Sequence, residues 1–95
     1  MARIRTAVKL MNELGLSGRP ASLFVQTARK FKSHIIVQKN GEKADAKNLH
    51  KVLSLHAKRG HTIVITAEGP DAEEAVSELV SLVKNRFGEM KKFRM

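Results

Sequence analysis

Hydrophobic and polar positions change their period several times along this chain, and each change marks an element. Residues 4–11 alternate Ile4, Thr6, Val8 and Leu10 with Arg5, Ala7, Lys9 and Met11. A period of two is that of a half-buried strand with one face toward a core. Gly15-Leu16-Ser17-Gly18-Arg19-Pro20 follows as a turn feeding a helix, because proline is tolerated in a first helical turn, where its missing N–H has no intrahelical partner. Ser17 is placed to cap that helix by accepting the N–H of Arg19, since Pro20 offers none. Pro20, Leu23, Phe24, Ala28 and Phe31 then recur at helical spacing and predict a helix over 18–30.

The next run, His34 to Lys39, is short and rich in β-branched residues, and Asn40-Gly41 supplies the two positive-φ positions of a type I′ turn. A hairpin into 42–45 is the consequence. Asn48 can cap a short helix running to about 55, with Leu49, Val52 and Leu53 on one side, until Lys58-Arg59-Gly60 breaks the pattern. Residues 62–67 alternate again, and Gly69-Pro70-Asp71 turns the chain into a last helix. Asp71 and Glu74 have the spacing of a capping box. Ala72, Ala75, Val76, Leu79, Val80 and Val83 form the strongest amphipathic stripe in the sequence, with Gly88 as the expected stop. The order βαββαβα, with short connections, predicts an α+β fold: a four-stranded antiparallel sheet covered on one face by three helices.

Size and composition narrow the chemistry. Ninety-five residues make one domain, expected over 1–88, followed by a short basic tail over 89–95 that frays or prolongs the last helix. The apolar share of 42%, with only four aromatics, all Phe, requires a mainly aliphatic core. No apolar run exceeds three residues, so neither a membrane span nor a signal-peptide core can be drawn, and a cytoplasmic location is expected. The absence of cysteine removes disulfides, thiolate nucleophiles and thiolate metal sites. The four histidines, His34, His50, His56 and His61, have no zinc-motif spacing and read as exposed polar residues away from Arg19. No metal or cofactor is expected.

The net charge of +9 is uneven, because residues 1–60 hold thirteen Lys and Arg against three acids, whereas 61–95 hold five against six. A basic field of this kind favours acidic protein surfaces, phosphorylated ligands or nucleic acid.

Four separated segments, Gly15-Leu16-Ser17-Gly18-Arg19-Pro20-Ala21, Asn40-Gly41, Ala46-Lys47-Asn48-Leu49 and Thr66-Ala67-Glu68-Gly69, closely resemble HPr, the histidine-containing phosphocarrier protein of the bacterial sugar phosphotransferase system. The resemblance runs from about Gly15 to Val83 and implies the open-faced β-sandwich of that family. The family's active-site motif is Gly-Leu/Ile-His-x-Arg-Pro, whose His accepts a phosphoryl group and whose Arg supports its charge. Arg19 and Pro20 match, but Ser17 stands at the His. At the family's regulatory Ser stands Asn48. A serine phosphate is a monoester, a class with extremely slow uncatalysed hydrolysis, so Ser17 is at best a dead-end acceptor.

The resemblance therefore implies a regulatory or protein-binding module, not an enzyme, with Ser17, Gly18, Arg19, Leu49 and Lys51 on its partner-binding face. The implied partners are acidic proteins such as phosphotransferase-system enzymes or a transcriptional regulator. A phosphate or sulfate could also sit at Ser17 and Arg19, where helix N–H groups and a guanidinium converge. A recruited nucleic-acid-binding domain is the alternative; the lack of Trp, Tyr and any recognition motif speaks against it. A phosphocarrier with altered chemistry is the third reading.

Overall fold

The computed structural model describes residues 2–88. Its elements are β1 (Ala2–Lys9), α1 (Gly18–Ala28), β2 (His34–Lys39), β3 (Glu42–Asp45), α2 (Leu49–Leu53), β4 (Thr62–Gly69) and α3 (Ala72–Lys84), followed by a tight turn at Arg86–Gly88. The strands form one antiparallel sheet in the order β1-β4-β2-β3. β4 is central: Ala2 pairs with Gly69 and Lys9 with Thr62 on one side, and His34 pairs with Glu68 on the other.

The period-two pattern explains the layers. Val8, Ile35, Val37, Ile63, Ile65 and Ala67 point to one face and are buried, while Arg3, Arg5, Ala7 and Lys9 point to the other and are exposed. The buried face is covered by the stripe of α1 (Ala21, Phe24, Val25, Ala28) and that of α3 (Ala75, Val76, Leu79, Val83). The result is an open-faced α+β sandwich. Asn40 and Gly41 take φ of 51° and 85°, the left-handed pair a two-residue hairpin needs.

Several boundaries differ from the sequence expectation for local reasons. β1 lies over Ala2–Lys9 instead of 4–11, although Leu10 still bonds across to His61 and Gly60 and stays buried. α1 ends at Ala28 because Lys30 and Phe31 bond to carbonyls three residues back, the tighter pattern that closes a helix. α2 stops at Leu53, and the left-handed residue that turns the chain is His56 (φ 52°), ahead of the Lys58-Arg59-Gly60 segment. β4 continues to Gly69, where a Cβ would lie 2.6 Å from the Ser33 hydroxyl oxygen, so the close approach of Ser33 requires glycine.

The expected stop at Gly88 is replaced by an earlier one. α3 ends at Lys84, and Arg86, Phe87 and Gly88 all adopt left-handed φ (54°, 57° and 70°), which returns Phe87 to the core.

The capping box expected from Asp71 and Glu74 does not form. Asp71 makes no cap hydrogen bond to its own helix and instead reaches back 38 residues. Its carboxylate accepts the N–H of Lys32 (2.9 Å), the N–H of Ser33 (2.9 Å) and the hydroxyl of Ser33 (2.6 Å). The Asp71 N–H in turn donates to the Ser33 oxygen. With the Ser33 hydroxyl as the largest cause, these bonds favour the ionised form and hold the carboxyl at about 2, below its usual 3.8. The tail over 89–95 lies outside the described residues.

Candidate functional site

The candidate site is built where the loop after β1 crosses the turn before β4. Gly15, with φ +64°, lies so close to the Ala57–Lys58 backbone that a Cβ would meet the Ala57 oxygen at 2.5 Å. Leu16 is fully buried, and its N–H donates to the same oxygen at 2.9 Å. Beneath the loop, the buried Asn12 amide donates to the Gly15 carbonyl at 2.9 Å. The opposing turn has its own clasp, in which the Lys58 N–H donates to His61 Nδ1 (2.8 Å) and the His61 N–H to the Lys58 carbonyl (3.0 Å). His61 is thus half-buried and structural, unlike the exposed residue expected. His34, His50 and His56 are exposed.

This clasped pair of segments presents Ser17 at the start of α1. Ser17 occupies the N-cap position with extended backbone (φ −146°, ψ 158°), yet its side chain makes no cap hydrogen bond. The expected bond to Arg19 N–H is absent for a reason of geometry: Gly18 at φ +58° starts the helix in a left-handed conformation, which turns the first N–H groups away from a regular cap. An exposed hydroxyl and an uncapped helix start are left. Asn48 behaves as expected, accepting the Lys51 N–H at 3.1 Å.

Two clefts flank this helix start, with the exposed Leu14 forming the ridge between them. The first is about 320 Å³, and Ser17 shares it with Glu13, Leu53, His56, Lys58 and Arg59. The second is about 410 Å³ and brings Arg19 together with Pro20, Leu23, Arg86 and Phe87. The structure therefore separates Ser17 and Arg19 into adjacent clefts, and neither Leu49, half-buried on α2, nor the exposed Lys51 lines either one. The apolar side chain that α2 contributes to the Ser17 cleft is Leu53.

His56, Lys58, Arg59 and Arg86 were missed as site residues by sequence reasoning. His56 reaches the Ser17 cleft because its left-handed φ folds the end of α2 back, and the carbonyl of that residue accepts Lys39 Nζ at 3.4 Å. Lys58 and Arg59 read from sequence only as a helix-breaking turn, because the approach of Gly15 to Ala57 and Lys58 is a contact across the fold that no local pattern announces. Among the described residues no group of three or more His, Asp and Glu is arranged to hold a metal.

The family model for the phosphotransferase-system HPr component phosphorylation site matches residues 4–85. The chain belongs to the HPr family. It is 39% identical over 80 residues to the phosphocarrier protein HPr of Cupriavidus necator, covering 84% of this chain and 90% of that one. It is 37% identical over 81 residues to the HPr-like protein Crh of Halalkalibacterium halodurans, covering 85% of this chain and 96% of the relative. The crystal structure of HPr-C-His from Thermoanaerobacter tengcongensis superposes with a TM-score of 0.90 at 42% identity, covering 93% of this chain and 99% of that one. No helix among the described residues is long and apolar enough to cross a membrane.

Proposed function

We propose that this HPr-family chain is a protein-binding, regulatory member of the phosphotransferase system that keeps the docking architecture without a phosphoacceptor at the α1 start. The observation that carries the reading is the state of Ser17: an exposed hydroxyl, making no cap bond, at the position of the motif's His, beside a matching Arg19 and Pro20. A serine monoester does not pass its phosphoryl group on as a phosphorylated imidazole does. The regulatory position is occupied by Asn48, whose side chain is committed to capping α2 and carries no hydroxyl.

Docking uses Ser17, Gly18, Arg19, Leu49 and Lys51 together with the exposed Leu14 ridge. Its partners are acidic proteins of the cytoplasm, drawn to a face where Arg19, Lys51, Lys58 and Arg59 are all exposed. Phosphate or sulfate at the same face is held by Arg19 and the uncapped start of α1. The protein is not itself a catalyst. The domain spans 1–88.

A second reading is supported by one observation, the presence of His56 on the wall of the Ser17 cleft beside Lys58 and Arg59. On that reading His56 accepts the phosphoryl group and the chain remains a phosphocarrier. Incubation with enzyme I and phosphoenolpyruvate separates the two. The regulatory reading expects no acid-labile phosphate on the natural chain and its appearance on Ser17→His. Acid-labile phosphate on the natural chain that disappears in His56→Ala would establish the second reading instead.

A further inference from the structure

The cleft of about 410 Å³ on the far side of Leu14 falls in the size range of small-ligand sites. Leu14, Pro20, Leu23 and Phe87 give it apolar walls, and Arg19 and Arg86 stand at its rim. No carboxylate lines it among the described residues. Both arginines are exposed, and among the described residues neither has a hydrogen-bond or ion-pair partner that would occupy its guanidinium. Two unengaged guanidinium forks over an apolar floor match one kind of ligand, with a planar or tetrahedral anion at one end and an apolar body at the other.

The backbone supplies an independent observation. Arg86 and Phe87 both hold left-handed φ, a conformation that side-chain-bearing residues rarely adopt. Glycine would hold the same turn without strain, as Gly88 does next to them. The strained pair sets Phe87 under the cleft and Arg86 at its edge, and strain of this kind is found where a side chain is needed for function.

We propose that this cleft binds a small amphiphilic organic anion, a carboxylate or phosphate on an apolar body, with the anion between Arg19 and Arg86 and the body against Leu14, Leu23 and Phe87. The site shares Arg19 with the docking face but does not depend on that reading. Inorganic phosphate and sugar phosphates lack the apolar body and do not fill it.

The test is a titration of the ¹⁵N-labelled full chain with 3-phenylpropionate, with acetate as the anion without a body and 3-phenylpropanol as the body without an anion. The expected result is movement of the Leu14, Leu23 and Gly88 amide signals by phenylpropionate at concentrations where the other two move none. Arg86→Gly should raise the unfolding midpoint, by relieving strain, while weakening phenylpropionate binding about tenfold, the size expected for one lost charge-assisted hydrogen bond. A merely structural Arg86 would not lose binding while the fold gained stability. Equal movement of the same signals by acetate, movement centred on Lys58 and Arg59, or unchanged affinity in Arg86→Gly would each overturn the proposal. Failure of the docking reading shows separately, as unchanged partner binding in Arg19→Ala.

Discussion

Gly15→Ala is the substitution that most directly tests how the site is held. At φ +64° an alanine occupies the left-handed region, which costs roughly 1–2 kcal/mol for a residue with a Cβ. Space adds to that cost. The new Cβ would meet the Ala57 oxygen at 2.5 Å and the Lys58 Cα at 2.6 Å, both backbone atoms that cannot rotate away as a flexible side chain could. Reaching ordinary contact at 3.4 Å requires the two segments to part by about 0.9 Å. The Leu16 N–H to Ala57 carbonyl bond, now 2.9 Å, would then pass beyond hydrogen-bonding range. Leaving that buried pair unmade costs about 1–2 kcal/mol more. The total is about 2–4 kcal/mol, enough to lower the melting temperature of a domain this size by roughly 10–25 °C.

Gly60→Ala is the matched control, with a similarly positive φ (+92°) and no atom within 4 Å of the added methyl. It should cost only the conformational part, about 1–2 kcal/mol. Urea unfolding of both variants, extrapolated linearly to water, measures the difference, and an unchanged slope verifies that the unfolded states are comparable. If Gly15→Ala were no more destabilising than Gly60→Ala, the close crossing of the 12–17 loop over Ala57 and Lys58 would not be what positions Ser17, and the account of the site would be wrong.

Asp71 titrates at about 2 in the folded chain against 3.8 ordinarily, so its stabilising contribution is fully present above pH 3.8 and is lost as pH falls toward 2. Asp71→Asn should flatten the acid limb of a stability-against-pH curve in that window, measured by urea midpoints at successive pH values. Asn48→Ala removes the acceptor of the Lys51 N–H and should cost about 1 kcal/mol in the same assay, with increased amide exchange confined to α2. Arg19→Ala should weaken binding to enzyme I more than Arg5→Ala, which lies on the open sheet face, and the difference should shrink as salt rises; equal effects would indicate a diffuse electrostatic contact.

The elements themselves were legible because their signals are local. Alternation at 62–67, the Asn40-Gly41 turn and the α3 stripe each involve residues within a few positions of one another, and the structure differs from them mainly at boundaries. What escaped were contacts made across the fold. Asp71 has the spacing of a capping residue, but nothing near it in sequence shows that Lys32 and Ser33, 39 and 38 residues earlier, together offer three better bonds. Ser17 has the identity of a cap, but the left-handed Gly18 removes the geometry a cap needs. Left-handed His56, Arg86 and Phe87 break the rule that glycine or asparagine takes such positions, so pattern reading extends α2 and α3 past their ends. The resemblance supplied Ser17, Arg19 and Asn48 as site positions; the clefts that join Ser17 to His56, Lys58 and Arg59, and Arg19 to Arg86, follow only from the packed loops.

These long-range contacts also explain why a substitution at position 17 should leave the fold of this HPr-family chain unweakened. The two clasps lie at opposite ends of β4: Asp71 and Ser33 close the end near Gly69, while Gly15, Leu16 and the Lys58–His61 turn close the end near Thr62. Between them the core rests on Phe24, Ile63, Ile65 and Leu79, all fully buried. Ser17 belongs to neither clasp and to no part of that core, since it is exposed and makes no cap bond. Surface positions of this kind change stability by about 0.5 kcal/mol or less when substituted. Gly15 and Leu16, its immediate neighbours, are instead fixed by packing against Ala57. The packing of the fold therefore fixes the loop that presents position 17, while the presented side chain lies outside both clasps and the core.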